Sequence, residues 1–223
     1  MSAAGPGTEP ALAILLELLG TPAAPISAAS LRRARDVHIA DSLSGLEIDQ
    51  LRAAARIADL GSGAGLPGLV LSAKLPDARI DLIESASRKC EFLGEAIARM
   101  GLRNATVVCE RSESWAGGEG REAYDAVTAR AAGRLATIAE LASPLLRQAG
   151  VLVAWKGGRS EEEERELERA SARLAMEVVE VRPVEPYRGS RKRHIHLLRK
   201  NGPTPSELPR RPGMAAKRPF GSE

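Results

Sequence analysis

The order of apolar and polar residues along the chain predicts two kinds of segment. Up to residue 55, apolar residues recur every three or four positions, as on one face of a helix, and they predict helices over Ala11–Leu19, about Ala28–Leu43 and Glu47–Ala55. The first residues, Met1–Pro10, lack this pattern and are expected to be flexible. From Arg56 onward the pattern changes to short apolar runs bounded by Gly and Pro, which is typical of buried strands.

Over the middle of the chain, predicted strands alternate with helices. The strands cover Arg56–Gly61, Ala78–Ser85, Ala105–Glu110, Tyr124–Arg130 and Gly150–Gly158. The helices run from Pro67 to about Lys74 and over Ser87–Gly101, Leu135–Arg147 and Glu161–Leu174, the last with Ser160 as its N-cap. Strands that alternate with helices form a parallel sheet with helices on both faces, so we expect an α/β fold.

Two further strands, Met176–Val184 and Arg193–Lys200, have no predicted helix between them. Their connection is too short for a helical crossover, so we expect a hairpin that places one antiparallel strand in the sheet. A mostly parallel sheet of this kind, with seven strands, is the plan of the Rossmann-like class I methyltransferases. We therefore expect N-terminal helices over residues 1–55, a methyltransferase domain over 56–200 and an extended, basic, Pro- and Arg-rich tail over 201–223.

Composition narrows the class of protein. Of the 223 residues, 43% are hydrophobic and 27% are charged, which suits a globular domain with a sizeable core. The apolar stretch Ala11–Gly20 is shorter than a membrane span, contains Glu17 and follows no basic residue, so it does not predict a signal peptide. We expect a cytoplasmic protein in which Cys90 and Cys109, which lack the spacing of a metal or redox motif, are buried free thiols.

Basic residues are concentrated at the C-terminal end, although the net charge is only +3. From Tyr187 onward the basic residues are Arg188, Arg191, Lys192, Arg193, Arg199, Lys200, Arg210, Arg211, Lys217 and Arg218. The acidic residues there are Glu207 and Glu223. Such an end suits a phosphate backbone, and a solvated tail without a partner is the alternative.

The stretch "ADLGSGAGLPG", residues 58–68, follows the first predicted strand, where a doubly wound sheet binds its ligand. Gly68 is not followed by Lys and Ser or Thr, which excludes a nucleoside triphosphate loop, and Leu66 stands where a dinucleotide fingerprint has glycine. The remaining G-x-G-x-G pattern favours S-adenosylmethionine, and a turn that needs glycine only for steric reasons is the alternative. The predicted cofactor-binding residues of this loop are Asp59, Gly61, Ser62, Gly63, Gly65 and Leu66.

Two further segments extend the predicted cofactor site. Glu84 ends the second strand about 20 residues after the glycines, where an acid accepts both ribose hydroxyls of a nucleoside. After the third strand, backbone groups near Ser112 and Glu113 are expected to read the edge of adenine. The alternatives are a surface carboxylate at Glu84 and an ordinary helix cap at Ser112.

Seven short motifs occur together in this chain: "HIADSL", "DLGSGAGLPG", "LIESASRKCEFL", "ERSESW", "DAVTARA", "WKGG" and "RHIHLLRK". In order and spacing they resemble the glucose-inhibited division protein B family, the bacterial 16S rRNA guanine-N7 methyltransferases (RsmG), over roughly Leu31–Lys200. The closing "LPRRPGMAAKRPF" is similar to the Pro/Arg/Lys-rich tail of many members. In contrast, the N-terminal region lacks the Trp and the Asn-Leu-Thr segment that members usually carry.

This resemblance implies contacts from Gly61, Leu66, Ser112, Glu113 and Arg130 to S-adenosylmethionine. It also implies a role in rRNA processing, with 16S rRNA or the small-subunit ribosomal particle as the partner. The target is then a guanine in the decoding-region loop, and the product is N7-methylguanosine.

Methylation at guanine N7 asks little of a protein beyond position and exclusion of water, because N7 has an in-plane lone pair and no proton. We therefore expect no nucleophile and no general base. The sequence has no Pro-Cys dipeptide for attack on a pyrimidine, and the fourth strand ends in "TARA", not in an Asn/Asp-Pro-Pro-aromatic segment that binds an exocyclic amine. Arg130 in "TARA" is a candidate to bind the methionine carboxylate or the guanine, and a structural ion pair is its alternative role.

His38 and Asp41 lie three residues apart on a predicted helix and are candidates to position that helix over the cofactor or to face the RNA, unless they only lock the helix. The predicted RNA phosphate contacts are Lys156, Arg191, Arg193 and Lys200. No metal site is expected, and we expect a monomer. Other interpretations are a methyltransferase for a different RNA, a protein or a small molecule, and an inactive RNA-binding relative.

Overall fold

The fold is built on one sheet of seven strands. The computed structural model describes residues 8–26, 34–190 and 192–222. The strands are β1 Arg56–Leu60, β2 Arg79–Ile83, β3 Ala105–Val108, β4 Tyr124–Arg130, β5 Leu146–Lys156, β6 Met176–Val184 and β7 Arg193–Lys200. Their order across the sheet is β3-β2-β1-β4-β5-β7-β6.

Helices connect most of the strands. They are α1 Thr8–Leu19, α2 Ala40–Leu43, α3 Asp49–Arg52, α4 Gly68–Lys74, α5 Ser87–Met100, α6 Ser112–Trp115, α7 Leu135–Ala142, α8 Glu161–Leu174 and α9 Met214–Lys217. A π-helical turn, Ala34–Ile39, precedes α2, and a 3-10 turn, Ser44–Glu47, follows it. None of the described helices is long and apolar enough to cross a membrane.

The strand directions confirm the fold that the sequence predicts. β1 pairs in parallel with β2 and β4, and β5 continues the parallel set beside β4. β7 runs antiparallel to both β5 and β6, so the last two strands form the expected hairpin at one end of the sheet.

Two apolar cores cover the two faces of the sheet. Ile57 lies in the core that α1, α4 and α5 cover, and Ala58 lies in the core that α7 and α8 cover. Neighbouring residues of a strand point to opposite faces, and both positions are fully buried. A strand covered on both faces is mostly apolar, which is why the central strands are largely apolar runs in the sequence, interrupted by single buried polar residues such as Asp59.

The predicted boundary between α7 and β5 is wrong. The sequence predicted a helix to Arg147, but α7 ends at Ala142 and Leu146 already belongs to β5, where it pairs with Tyr124 of β4. Pro144 explains the difference, because proline has no N–H to continue the helical hydrogen bonds.

The N-terminal region is more ordered than predicted at one point. Helix α1 begins at Thr8, inside the segment expected to be flexible, and its Leu15 and Leu19 are fully buried. Of the predicted helix over Ala28–Leu43, the structure has the π-helical turn and α2, while residues 28–33 lie outside the described residues.

The interpretation of the cysteines as free thiols is wrong, because Cys90 and Cys109 form a disulfide. Cys90 lies in the first turn of α5 and Cys109 directly follows β3. The two residues are 19 positions apart and come together because β3 pairs with β2, the strand that leads into α5.

The C-terminal segment, residues 201–222, packs on the domain, whereas an extended tail was expected. Leu208, Ala215 and Phe220 are buried, and Leu208 and Phe220 join the core under α7 and α8. Its apolar residues are widely spaced among Pro and Arg, so no periodic pattern predicts this burial.

Candidate functional site

Three of the predicted site residues meet at one edge of the sheet, where the parallel strands end. Gly61 follows β1, Glu84 follows β2, and Arg130 is the last residue of β4. Two cavities of about 280 Å³ adjoin at this edge, and Gly61 and Lys89 line both of them. This is the place where doubly wound sheets bind their ligands.

Different residues of the predicted site line the two cavities. The first, here called the Glu84 cavity, is bordered by Glu84, Ser112, Thr137, Leu141 and Ala216. The second, the Arg130 cavity, is bordered by His38, Ser62, Gly63, Leu66 and Arg130. Together they form one site, and the two cavities share Gly61 of the glycine loop and Lys89.

The glycine loop, residues 61–66, has the backbone conformation that its composition predicts. Gly61 and Gly65 have φ values of 67° and 82°, in the left-handed region that favours glycine. A Cβ at Gly65 would overlap the Leu69 side chain, so this glycine is required by packing. At Gly61 a Cβ would meet only the Ala132 Cβ, at 3.9 Å, and would otherwise project into the site.

Asp59 and Ser62 support the loop from inside. Asp59 is 1% exposed, and its carboxylate accepts hydrogen bonds from Gly68 N at 3.2 Å and Thr128 Oγ1 at 2.8 Å. Ser62 Oγ donates to the Asp59 carbonyl at 2.9 Å. Burial raises the pKa of the Asp59 carboxyl, and the hydrogen bonds from Thr128 and Gly68 oppose this shift. The described contacts of both side chains therefore hold the loop, which leaves its backbone to face the site.

Glu84 connects the second strand to the glycine loop. Its Oε2 accepts from Gly63 N at 3.1 Å, and its Oε1 accepts from Ser85 N and Ala86 N, both at 2.9 Å. Lys89 Nζ lies 3.7 Å from Oε2. A carboxylate has about four acceptor positions, and the three amides use three of those of Glu84. Glu84 thus fixes the loop and the start of α5, and it also borders the cavity that bears its name.

Ser112 and Glu113 begin the short helix α6 beside the Glu84 cavity. The Glu113 carboxylate accepts from Gly213 N at 2.7 Å and from Arg111 Nη2 at 3.2 Å. Burial raises the pKa of Glu113, but the hydrogen bonds from Gly213 and Arg111 outweigh it, and the pKa is lowered. The Glu113 side chain is thus committed to the C-terminal segment, and any contact of this turn with adenine would come from the backbone or from Ser112.

Arg130 is held in an ion-pair cluster at the wall of the Arg130 cavity. Its Nη1 donates to the His38 carbonyl at 3.0 Å and to Asp41 Oδ2 at 3.3 Å. Arg193 Nη1 donates to the same Asp41 oxygen at 3.3 Å. Burial lowers the pKa of Arg130, and the charge of Asp41 opposes this shift. The pairing of His38 with Asp41 stays a prediction, while Asp41 itself joins α2 to β4 and β7.

Two residues of the site were missed by sequence reasoning. Lys89 lines both cavities, and the signal that would have found it is a basic residue in the helix that starts just after Glu84. Trp155 Nε1 donates to the Asp41 carbonyl at 2.8 Å and to Ser44 Oγ at 3.1 Å, so the indole fixes α2, whose Asp41 pairs with Arg130. No sequence pattern links Trp155 with Asp41, because the two lie far apart along the chain.

The predicted RNA contacts have different outcomes. Lys200 as a phosphate ligand is wrong, because its side chain is 0% exposed and its Nζ is bound to Glu122 Oε1 at 2.9 Å. Lys156 Nζ pairs with Glu163 at 2.7 Å and its side chain is 18% exposed, so its contact with RNA stays a prediction. Arg191 lies outside the described residues.

The residues present fit S-adenosylmethionine. The space in front of Gly61, which a Cβ would enter, allows a ligand to approach the backbone closely. The buried carboxylate of Glu84, at the end of β2, borders the Glu84 cavity, and the paired guanidinium of Arg130 borders the Arg130 cavity. Within the described ranges, no group of three or more His, Cys, Asp or Glu residues is arranged to hold a metal ion.

Comparison with known proteins adds independent information. The model of the family described as rRNA small subunit methyltransferase G matches residues 12–195. The chain is 44% identical over 187 residues to ribosomal RNA small subunit methyltransferase G of Rubrobacter xylanophilus, covering 82% of this chain and 72% of the relative. It is 37% identical over 206 residues to the protein of the same name from Thermotoga neapolitana, covering 92% and 88%.

A solved structure is similar in fold. Fibrillarin of Aeropyrum pernix, in complex with natively bound S-adenosyl-L-methionine, superposes with a TM-score of 0.51 at 20% identity. The match covers 72% of each chain. At this identity the similarity supports the class I fold.

Proposed function

The chain belongs to the rRNA small subunit methyltransferase G family, and on this premise we propose that it methylates N7 of a guanine in the decoding-region loop of 16S rRNA. It is an S-adenosylmethionine-dependent methyltransferase of class I fold. The atom and the position of the target are the parts that we propose.

The observation that supports this proposal is the junction of the two cavities at Gly61 and Lys89. We assign the Glu84 cavity to the adenosine part of the cofactor, with Glu84 toward the ribose and the Ser112 turn toward adenine. We assign the Arg130 cavity to the methionine part and the target guanine. Asp59, Ser62 and Gly65 hold the conformation of the glycine loop. We propose that Gly61, Gly63 and Leu66, which line the Arg130 cavity, contact the cofactor.

When bound, S-adenosylmethionine supplies a methyl group that its positively charged sulfur makes reactive. Guanine N7 needs no base to remove a proton, so the chain has to orient the base, exclude water and keep N7 free. The site suits this task, since the carboxylates of Glu84 and Asp41 are both engaged: Glu84 with backbone amides, and Asp41 with Arg130 and Arg193.

Arg130 is the candidate to orient the guanine or the methionine carboxylate. Arginine recognises guanine through O6 and N7, and a donor placed on O6 alone would leave the N7 lone pair free. Methyl transfer develops positive charge on the base, which an unpaired guanidinium would oppose. The ion pair of Arg130 with Asp41 reduces this repulsion, and the Arg130 side chain, 13% exposed, is largely fixed before the RNA arrives.

The RNA partner is 16S rRNA or the small-subunit particle, and we propose that the chain acts in the cytoplasm as a monomer. His38 and Leu66 border the Arg130 cavity, where the flipped or unpaired base would enter. Lys156, whose side chain is 18% exposed, is the candidate for a weak contact with a phosphate, whereas Arg193 is paired with Asp41 and we assign it to the site.

The proposal is tested by transfer of tritiated methyl groups in vitro. Purified protein is incubated with labelled S-adenosylmethionine and either naked 16S rRNA or small-subunit particles from a bacterial strain that lacks its own enzyme of this family. We expect label on N7-methylguanosine after digestion to nucleosides. Label on another base or atom would contradict the proposed target, and label on protein or small molecules alone would favour a different substrate class.

A further inference from the structure

The C-terminal segment, residues 201–222, reaches the cofactor site. It lies beyond residues 12–195, which the family model matches. Ala216 borders the Glu84 cavity together with Glu84 and Ser112. A segment that the sequence predicted to be a tail therefore contributes to the wall of the cavity.

Strong contacts attach the segment to the domain. The Arg210 guanidinium forms a two-pronged ion pair with Glu140 of α7, with N–O distances of 2.6 and 2.5 Å, and Glu140 is 3% exposed. Arg210 and Arg173 both lie over the Phe220 ring, 4.0 and 3.9 Å from its centre. Bidentate pairs and cation–π contacts at partly buried positions are among the stronger polar interactions in proteins.

Two hydrogen bonds connect the segment to the walls of the cavity. Gly213 N donates to Glu113 Oε1 at 2.7 Å, next to the Ser112 turn. Thr137 Oγ1 of α7 donates to the Ala215 carbonyl at 3.2 Å, and Thr137 borders the same cavity. The position of the Ser112 turn is thus fixed in part by the C-terminal segment.

We propose that the C-terminal segment forms one wall of the adenosine-binding cavity, so that its docking and the binding of S-adenosylmethionine stabilise each other. The inference rests on the assignment of the Glu84 cavity to adenosine. When the segment is displaced, Ala216 leaves the cavity wall and the Glu113 carboxylate loses its amide partner. Linkage makes the effect reciprocal. The factor by which docking of the segment raises the affinity for the cofactor is also the factor by which the bound cofactor favours the docked segment.

The first test is hydrogen exchange of the full-length protein with and without S-adenosylmethionine. We expect saturating cofactor to slow exchange of the amides in residues 208–221 about tenfold, within the usual range for linked sites, in addition to slowing the glycine loop. Protection of the glycine loop with no change in residues 208–221 would overturn the inference and leave the cofactor site intact. Absence of protection in both regions would contradict the cofactor site itself and, with it, this inference.

The second test compares two neighbouring arginines. Arg210→Met removes the pair with Glu140, whereas Arg211→Met changes an exposed residue. Calorimetry should show about tenfold weaker binding of S-adenosylmethionine for Arg210→Met and unchanged binding for Arg211→Met. Equal affinities of the two folded variants would overturn the inference.

A further pair of variants leaves the attachment of the segment intact. Ala216→Leu adds volume at the cavity wall, and Lys217→Leu places the same leucine side chain at the next, exposed position. We expect weaker binding of S-adenosylmethionine and of S-adenosylhomocysteine for Ala216→Leu alone, with the unfolding temperatures of both variants near that of the wild type. Unchanged affinity of Ala216→Leu would place Ala216 away from the bound cofactor.

Discussion

The glycine loop at residues 61–66 and the basic C-terminal end from Tyr187 onward are both prominent in the sequence, but they differ in how far their structure follows from it. The glycines adopt the left-handed conformations that their composition predicts, and they lie at the site. Several basic residues of the C-terminal end instead form ion pairs with acidic residues of the protein itself. Lys200 binds Glu122, 78 positions away, Arg193 binds Asp41, 152 positions away, and Arg210 binds Glu140, 70 positions away.

The difference has a physical cause. A backbone conformation with positive φ is a property of one position, so glycine at that position is a local signal. The role of a charged side chain depends on which acid the fold brings near it and on how much water remains. Local signals therefore predict the loop, while the roles of the charged residues require the tertiary structure.

Gly61→Val should have the largest effect, because it adds a β-branched side chain at a positive φ and directs it into the site. We expect the affinity for S-adenosylmethionine to fall about hundredfold or more, measured by calorimetry. The control is Gly94→Val in α5, where an added Cβ has no atom within 4 Å. Normal binding by Gly61→Val would show that the loop does not contact the cofactor.

Lys200→Met tests the basic C-terminal end, the other region of the comparison. It leaves the Leu146 carbonyl and Glu122 without the ammonium that now binds them at 2.7 and 2.9 Å, so the free energy of unfolding should fall by about 2 kcal/mol. Arg199→Met, at the adjacent exposed position, should change it by at most about 0.5 kcal/mol. Denaturant unfolding measures both, and a loss of rRNA affinity by Lys200→Met without a loss of stability would restore its predicted role as a phosphate ligand.

Arg193→Met asks whether a residue of the basic end serves the site or the RNA. Arg193 shares Asp41 with Arg130, so we expect kcat to fall about fivefold, or about 1 kcal/mol in the barrier, with unchanged salt dependence of rRNA binding. Arg188→Met provides an exposed control. If Arg193 contacts a phosphate, the slope of log affinity against log salt concentration should instead decrease by about one.

A smaller effect is expected from the pH dependence of the Glu122 interaction. Hydrogen bonds from Thr204 and Lys200 lower the pKa of Glu122 from 4.5 to about 2. The ionised form therefore stabilises the folded protein above pH 4.5, and this contribution is lost as the pH falls toward 2. The carboxylate is 41% exposed, so the size is limited by solvent screening.

Glu122→Gln measures this contribution through urea unfolding at several pH values. The stability difference between wild type and Glu122→Gln should be larger at about pH 5.5 than at about pH 3. Glu119→Gln, which removes a carboxylate at an exposed position, is the matched control. A constant difference for Glu122→Gln would contradict the lowered pKa.

Sequence patterns predicted the order and type of most elements because the central strands and helices carry strong periodicity. Pro144 shortens α7, and the disulfide between Cys90 and Cys109 depends on strand pairing that residue spacing alone does not reveal. At the site, Gly61, Glu84 and Arg130 could be predicted because they follow or end parallel strands. Trp155 and Ala216 could not, since their roles depend on packing between segments distant in sequence.

The central claim is methylation of guanine N7 in 16S rRNA, and N7-methylguanosine can be mapped directly because reduction and aniline treatment cleave the RNA at that nucleotide. The measurement is primer extension on treated 16S rRNA from a strain that lacks its own enzyme of this family and expresses this chain. We expect a cleavage at a guanine of the decoding-region loop with the wild-type chain and with Gly94→Val, and none with Gly61→Val. Absence of an aniline-labile guanine in the strain that expresses the wild-type chain would contradict the claim.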